Sequence, residues 1–312
     1  MSPQTRFRGV YPVLYAFFDR AGRLDEAAMR AQVEHCLAAG AHGICVLGLV
    51  TEVHKMDVNE RLALVETVGG LVDRRVPYAV TIGEPTVAGQ IAFARAARAA
   101  GADWVILQPP AARGSEAEIV RFFGAVADAL DFPVAVQNNP VNLDVSLSVA
   151  SLVALAERHP NVGLLKGEGA AVDVARVIEE TGGRLSVFGG HGGVEFMTHL
   201  RSGGAGLIPA PDTVAAQVRI FDLFESGRPD AMEEAERIHR AILPVPVFMT
   251  RSVPGLLCYG KRFFSEKIGL DEPVDRAPAM TPTAFGIAEM RRLLAHVQAV
   301  EAEIQAIPRA AE

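Results

Sequence analysis

The chain has 312 residues, half of them hydrophobic and about a fifth charged, a composition that excludes disordered, collagen-like and disulfide-dense proteins. Its length fits either two ordinary domains or one α/β barrel with an addition. The net charge of -7 comes from 37 acidic and 30 basic residues with no basic block, so no nucleic-acid partner is expected.

The N-terminal stretch MSPQTRFRGV lacks the apolar segment of a signal peptide, and every later apolar stretch is broken well short of membrane-spanning length. Cys36, Cys45 and Cys258 lie far apart and outside any CxxC pair, so the chain reads as a soluble cytoplasmic protein without membrane association. Eight short apolar runs then follow one another at 10–17, 43–47, 78–81, 104–107, 133–138, 162–166, 185–189 and 205–208. They are nearly continuous instead of alternating, as strands covered on both faces must be. Between them, residues 25–39, 57–74, 86–100, 115–130, 146–158, 171–180, 194–201 and 212–226 carry apolar positions at three-to-four spacing, and several open on a capping Asp, Thr or Ser. Eight strand–helix repeats without a break predict an α/β fold, a closed (β/α)8 TIM barrel over residues 1–228. The remainder, 229–312, reads as helix at 230–242, 253–268 and 283–307, a C-terminal extension packed on the barrel without a linker.

In such a barrel the chemistry sits at the C-terminal ends of the strands. The chain has only four lysines, Lys55, Lys166, Lys261 and Lys267, and Lys166 alone ends an apolar strand. Desolvation there lowers an amine's pKa and suits it to attack a carbonyl and form a Schiff base. The alternative is a snorkelling or ion-paired lysine at the barrel mouth. Two residues on, Glu168 shares the face of Lys166 by the period of two, either as a base beside the nucleophile or as a plain ion-pair partner. Gln137 and Asn138 end the preceding strand with amides that can position a carboxylate or hydroxyl but cannot exchange protons near neutral pH. Asn139 and Pro140 read as turn residues. The second strand leads into a loop carrying Thr51 and Glu52, and the seventh into Gly189-Gly-His191-Gly-Gly, which could contact a carboxylate or merely turn the chain. His54 and His191 have no metal-ligand spacing, so neither a metal nor a cofactor is expected.

Together these residues resemble the dihydrodipicolinate synthase/N-acetylneuraminate lyase family of Schiff-base-forming barrels, over about residues 9–278. The resemblance rests on Gly9-Val-Tyr-Pro-Val, on Gly48 to Glu52 at the family's Gly-Thr-Thr-Gly-Glu loop, on Asn138 to Pro140 in its Tyr-Asn-x-Pro segment, on Lys166 as its imine lysine, and on Gly189. Three positions depart from it. Gln137 replaces the proton-shuttling tyrosine, Leu49 and Val50 replace paired threonines, and Asn142 replaces the synthase's carboxylate-gripping arginine. Val-Gln-x-x-Pro followed by Lys-x-Glu instead resembles the L-2-keto-3-deoxyarabonate dehydratase branch, in which a glutamate near the lysine does the acid–base work.

The expected activity is that of a cofactor-independent lyase on a small 2-keto acid, dehydrating a 2-keto-3-deoxy sugar acid. Lys166 attacks C2, and Glu168 takes the C3 proton and returns it to the departing hydroxyl. Thr51, Glu52, Gln137, Asn138, Gly189 and His191 are the candidate substrate contacts. The alternatives are a pyruvate-dependent aldolase or synthase, or a non-catalytic keto-acid binder. The resemblance also implies a homotetramer.

Overall fold

A computed structural model describes residues 7–110, 114–143 and 146–306. The apolar runs form eight parallel strands: β1 (Gly9–Val10), β2 (Ile44–Val46), β3 (Tyr78–Ile82), β4 (Trp104–Leu107), β5 (Val134–Asn138), β6 (Val162–Gly167), β7 (Ser186–Gly189) and β8 (Gly206–Leu207). Each pairs with its sequence neighbour from β2 through to β8, and β8 pairs with β1. A parallel bridge between Val13 and Cys45 closes the ring. Their burial on both sides explains the continuous apolar runs. Tyr11 just past β1, Trp104 of β4 and Phe188 of β7 meet with ring centroids 5.3–5.7 Å apart, so they fill the barrel's interior.

The helices between strands begin where their capping residues allow. Asp25, Asp57, Thr86 and Ser115 each accept a first-turn backbone N–H, an interaction worth about 1 kcal/mol at a helix start. The helix expected from residue 146 starts later, at Val149–Arg158, because Ser148 is the cap and the backbone of Leu147 is bound by Asn138. Two short helices, Pro140–Leu143 and Pro244–Met249, have no counterpart in the sequence expectation. The last residue of the helix expected over 283–307 lies outside the described residues.

Beyond the barrel, helix Pro229–Ile242 inserts Ala231, Ala235, Ile238 and Ile242 into the barrel's own hydrophobic core. The chain then builds a second core from Val245, Met249, Tyr259, Phe263, Met290 and Val297. The expected helix 253–268 is interrupted by a π-helical turn, Leu256–Gly260. Among the described residues no single helix is long and apolar enough to cross a membrane.

Candidate active site

Lys166 is the penultimate residue of β6, and its Nζ lies 3.6 Å from Glu168 Oε2, both side chains being buried. The pairing continues one residue past the strand, since Glu168 N donates to Asn138 O over 2.9 Å. That keeps the extended conformation and turns Glu168 to the face of Lys166. Gln137 stands in register with Lys166 and donates from Nε2 to Glu168 Oε2 over 2.5 Å. Asn139 donates to the same oxygen over 2.8 Å. Gln137 is held in turn by Gln108, which donates to its Oε1 over 2.9 Å. Gly190 lets this happen: a Cβ there would lie 2.4 Å from a Glu168 oxygen. The carboxylate is therefore fixed as an acceptor beside the amine.

Lys166 and Glu168 open into a cavity of about 80 Å³ at the C-terminal end of the barrel. One wall is apolar, with Leu49 and Val50 from the loop after β2. Another comes from the C-terminal extension through Val245, Pro246, Met249 and Ser252, so the extension is part of the site. His191 also lines the cavity, in a left-handed conformation (φ 50°), and its buried Nε2 has no hydrogen-bond partner among the described residues.

The other sequence candidates are placed elsewhere. Thr51 is fully buried and donates its hydroxyl to Leu14 O over 2.7 Å, so Leu49 and Val50 represent its loop in the cavity. Glu52 is left-handed and buried between Lys55 (2.6 Å) and Lys261 (2.7 Å), where it neutralises two desolvated ammonium groups. Burial draws the Lys261 ammonium below its usual range, and Glu52 pulls it back. Asn138 points away from Lys166 and grips the backbone of Leu147 with both ends of its amide. Gly189 accepts from Ile208 N in the β7–β8 ladder and packs on His199. Gln137 reaches Glu168 but does not line the cavity.

Asn139, read from sequence as a turn residue, is the amide that touches Glu168, and Asn142 donates to its Oδ1. The period of two applied to Gln137 would have found it, because it places Gln137 and Asn139 on one face and Asn138 on the other. Gln108 carried a weaker signal, one polar residue following the fourth apolar run. Asp212 was missed as well. It lies five residues past β8, lines the cavity, and accepts from Tyr15 Oη at 3.0 and 3.1 Å. Burial pushes its carboxyl up to about 7, against the opposing pull of the Tyr15 hydrogen bond and Lys267.

The model of the dihydrodipicolinate synthetase family matches residues 6–293. The chain belongs to this family. It is 28% identical over 264 residues to 4-hydroxy-tetrahydrodipicolinate synthase of Pelobacter propionicus, covering 80% of this chain and 89% of the relative. It is 30% identical over 256 residues to L-2-keto-3-deoxyarabonate dehydratase of Azospirillum brasilense, covering 78% and 80%. Among solved structures, YagE of Escherichia coli K12, a prophage protein crystallised with pyruvate, superposes with a TM-score of 0.84 at 24% identity, over 94% of this chain and 99% of that one. Family members of these kinds are lyases, and this chain is a lyase.

Proposed function

We propose that the protein dehydrates a 2-keto-3-deoxy sugar acid through a Schiff base on Lys166. The amine condenses with the C2 ketone, the protonated imine draws electrons, and Glu168 removes the C3 proton to give the enamine. Expulsion of the C4 hydroxyl follows. The observation that carries this reading is the 3.6 Å approach of Glu168 to Lys166, with Gln137 clamping the carboxylate where the family has its tyrosine. The 30% identity to an L-2-keto-3-deoxyarabonate dehydratase supports it. His191 Nε2, buried and unpartnered in the cavity wall, is the contact for a substrate oxygen, since an unmet buried polar atom costs about 1–3 kcal/mol until a ligand pairs it. We also propose a cytoplasmic homotetramer, by likeness to the family; sedimentation velocity checks the assembly.

The test of the chemistry is product analysis by NMR with 2-keto-3-deoxy-L-arabonate and 2-keto-3-deoxy-D-gluconate. Loss of water without carbon–carbon cleavage is expected. Release of pyruvate and an aldehyde would assign the site to an aldolase, and no product from either acid would leave only a keto-acid binder.

A further inference from the structure

The dehydration needs two proton transfers, one from C3 to a base and one to the hydroxyl that leaves C4. Glu168 has one oxygen, Oε2, already accepting from the amides of Gln137 and Asn139, which leaves Oε1 to take the C3 proton and calls for a second group at the leaving hydroxyl. The other carboxyl of the cavity is Asp212, carried on the turn Pro211–Thr213 after β8. Both of its oxygens lie within hydrogen-bond distance of the fully buried Tyr15 hydroxyl, at 3.0 and 3.1 Å. Tyr15 is in turn pinned by the π-helical turn of the extension, where Gly260 leaves room for its hydroxyl: a Cβ there would lie 2.3 Å from Tyr15 Oη.

We propose that Asp212 is the catalytic acid that protonates the leaving C4 hydroxyl, with Tyr15 as its positioning residue. This rests on the Lys166 reading above. In the step, the C3–H bond breaks and its proton goes to Glu168, leaving the enamine. The enamine electrons then form the C3–C4 double bond as C4–O breaks, and the Asp212 proton joins the oxygen to release water. Glu168 gives its proton to solvent and Asp212 takes one back, so the net change before imine hydrolysis is loss of one water.

The surroundings suit an acid that holds its proton near neutrality. Tyr15 faces the carboxyl from β1's continuation, and Lys267 donates to the Asp212 backbone carbonyl over 2.9 Å while paired with Glu301. The Cys36 thiol lies on the buried side, and Lys166, Glu168 and His191 share the cavity. Burial outweighs Tyr15 and Lys267 in setting the Asp212 carboxyl at about 7.

The experiment combines borohydride trapping with pH-dependent turnover in the full-length protein, with pyruvate as the trapping probe and the two 2-keto-3-deoxy acids above as substrates. Asp212→Asn should still carry the reduced pyruvate adduct on Lys166 while turnover falls by about 10² to 10⁴, the worth of a general acid. Wild-type turnover should decline as pH rises through about 7, where Asp212 loses its proton. Tyr15→Phe, which removes a hydrogen bond that lowers the Asp212 pKa, should move that decline to higher pH, a shift that a purely structural role for Tyr15 does not produce. A wild-type enzyme that forms no adduct overturns the Lys166 reading and this one with it. An adduct without dehydration of either acid overturns the dehydration and the role of Asp212. An adduct with dehydration, but with Asp212→Asn turning over at the parent rate or Tyr15→Phe leaving the decline in place, overturns this inference and leaves Lys166 standing.

Discussion

Gln137 Nε2 stands 2.5 Å from Oε2 of Glu168, in ladder register with Lys166 on the neighbouring strand. An amide at the position of the family's tyrosine has no proton to relay, yet it orients the carboxylate that can do so. The loss of one acid–base group and the placement of another are thus joined in a single hydrogen bond.

Borohydride reduction in the presence of pyruvate should label Lys166 and no other lysine. Lys55 and Lys261 are both bound to Glu52, and Lys267 to Glu301 and a backbone carbonyl, so their amines are taken up by these partners and do not line the cavity. Peptide mapping by mass spectrometry reads the result, and an adduct on any of those three would sink the assignment.

Glu168→Gln should keep the pyruvate adduct and lose about 10² to 10⁴ in turnover, the range for a general base. Gln137→Leu, which leaves Glu168 in place but removes a hydrogen bond to a charged group, should cost roughly 10- to 100-fold, from about 1.5–3 kcal/mol for such a bond. Steady-state kinetics on the two 2-keto-3-deoxy acids separate these sizes, and equal losses would mean that Glu168 acts only through its packing.

Condensation of pyruvate with aspartate semialdehyde should not rise above background in a coupled assay. No arginine lines the cavity among the described residues, and Asn142 instead donates to Asn139 Oδ1. A bidentate guanidinium is what grips a second carboxylate, so measurable synthase turnover would contradict this account of the cavity.

Glu52→Gln should destabilise the fold by about 3–5 kcal/mol, because it leaves the buried Lys55 and Lys261 ammonium groups uncompensated. Adding Lys261→Met should recover part of that loss, since one orphaned charge is then removed. Urea unfolding of the single and double variants measures it. A neutral Glu52→Gln would instead return Glu52 to the list of substrate contacts.

Stability should carry the signature of Asp212 as well. Its folded-state carboxyl sits at about 7, above the ordinary 3.8, so between these values the folded protein holds a proton that the unfolded chain has lost. Its contribution is fully present below about pH 4 and is lost as pH rises toward 7. Asp212→Asn has no such dependence, so its stability relative to wild type should increase from pH 4 to 7 and level off above. Thermal melts across that range check the sign, and a difference that stays flat would remove the elevated carboxyl.

Much of the molecule was legible before any coordinate. Parallel strands covered on both faces must be apolar throughout, so the eight runs and their order declared the barrel, and a lysine closing one of them stood out against that background. The period of two then carried Glu168 to the same face. Tertiary structure decided the rest. Which polar atoms were already taken, as with Thr51 by Leu14 O and Glu52 by two lysines, depends on partners far away in sequence. So does the meeting of Tyr15 with Asp212, 197 residues apart, which no local pattern announces. The cavity wall supplied by the extension likewise exists only once the chain returns over the barrel mouth. Periodicity records which face of an element is covered; it holds no record of what covers it.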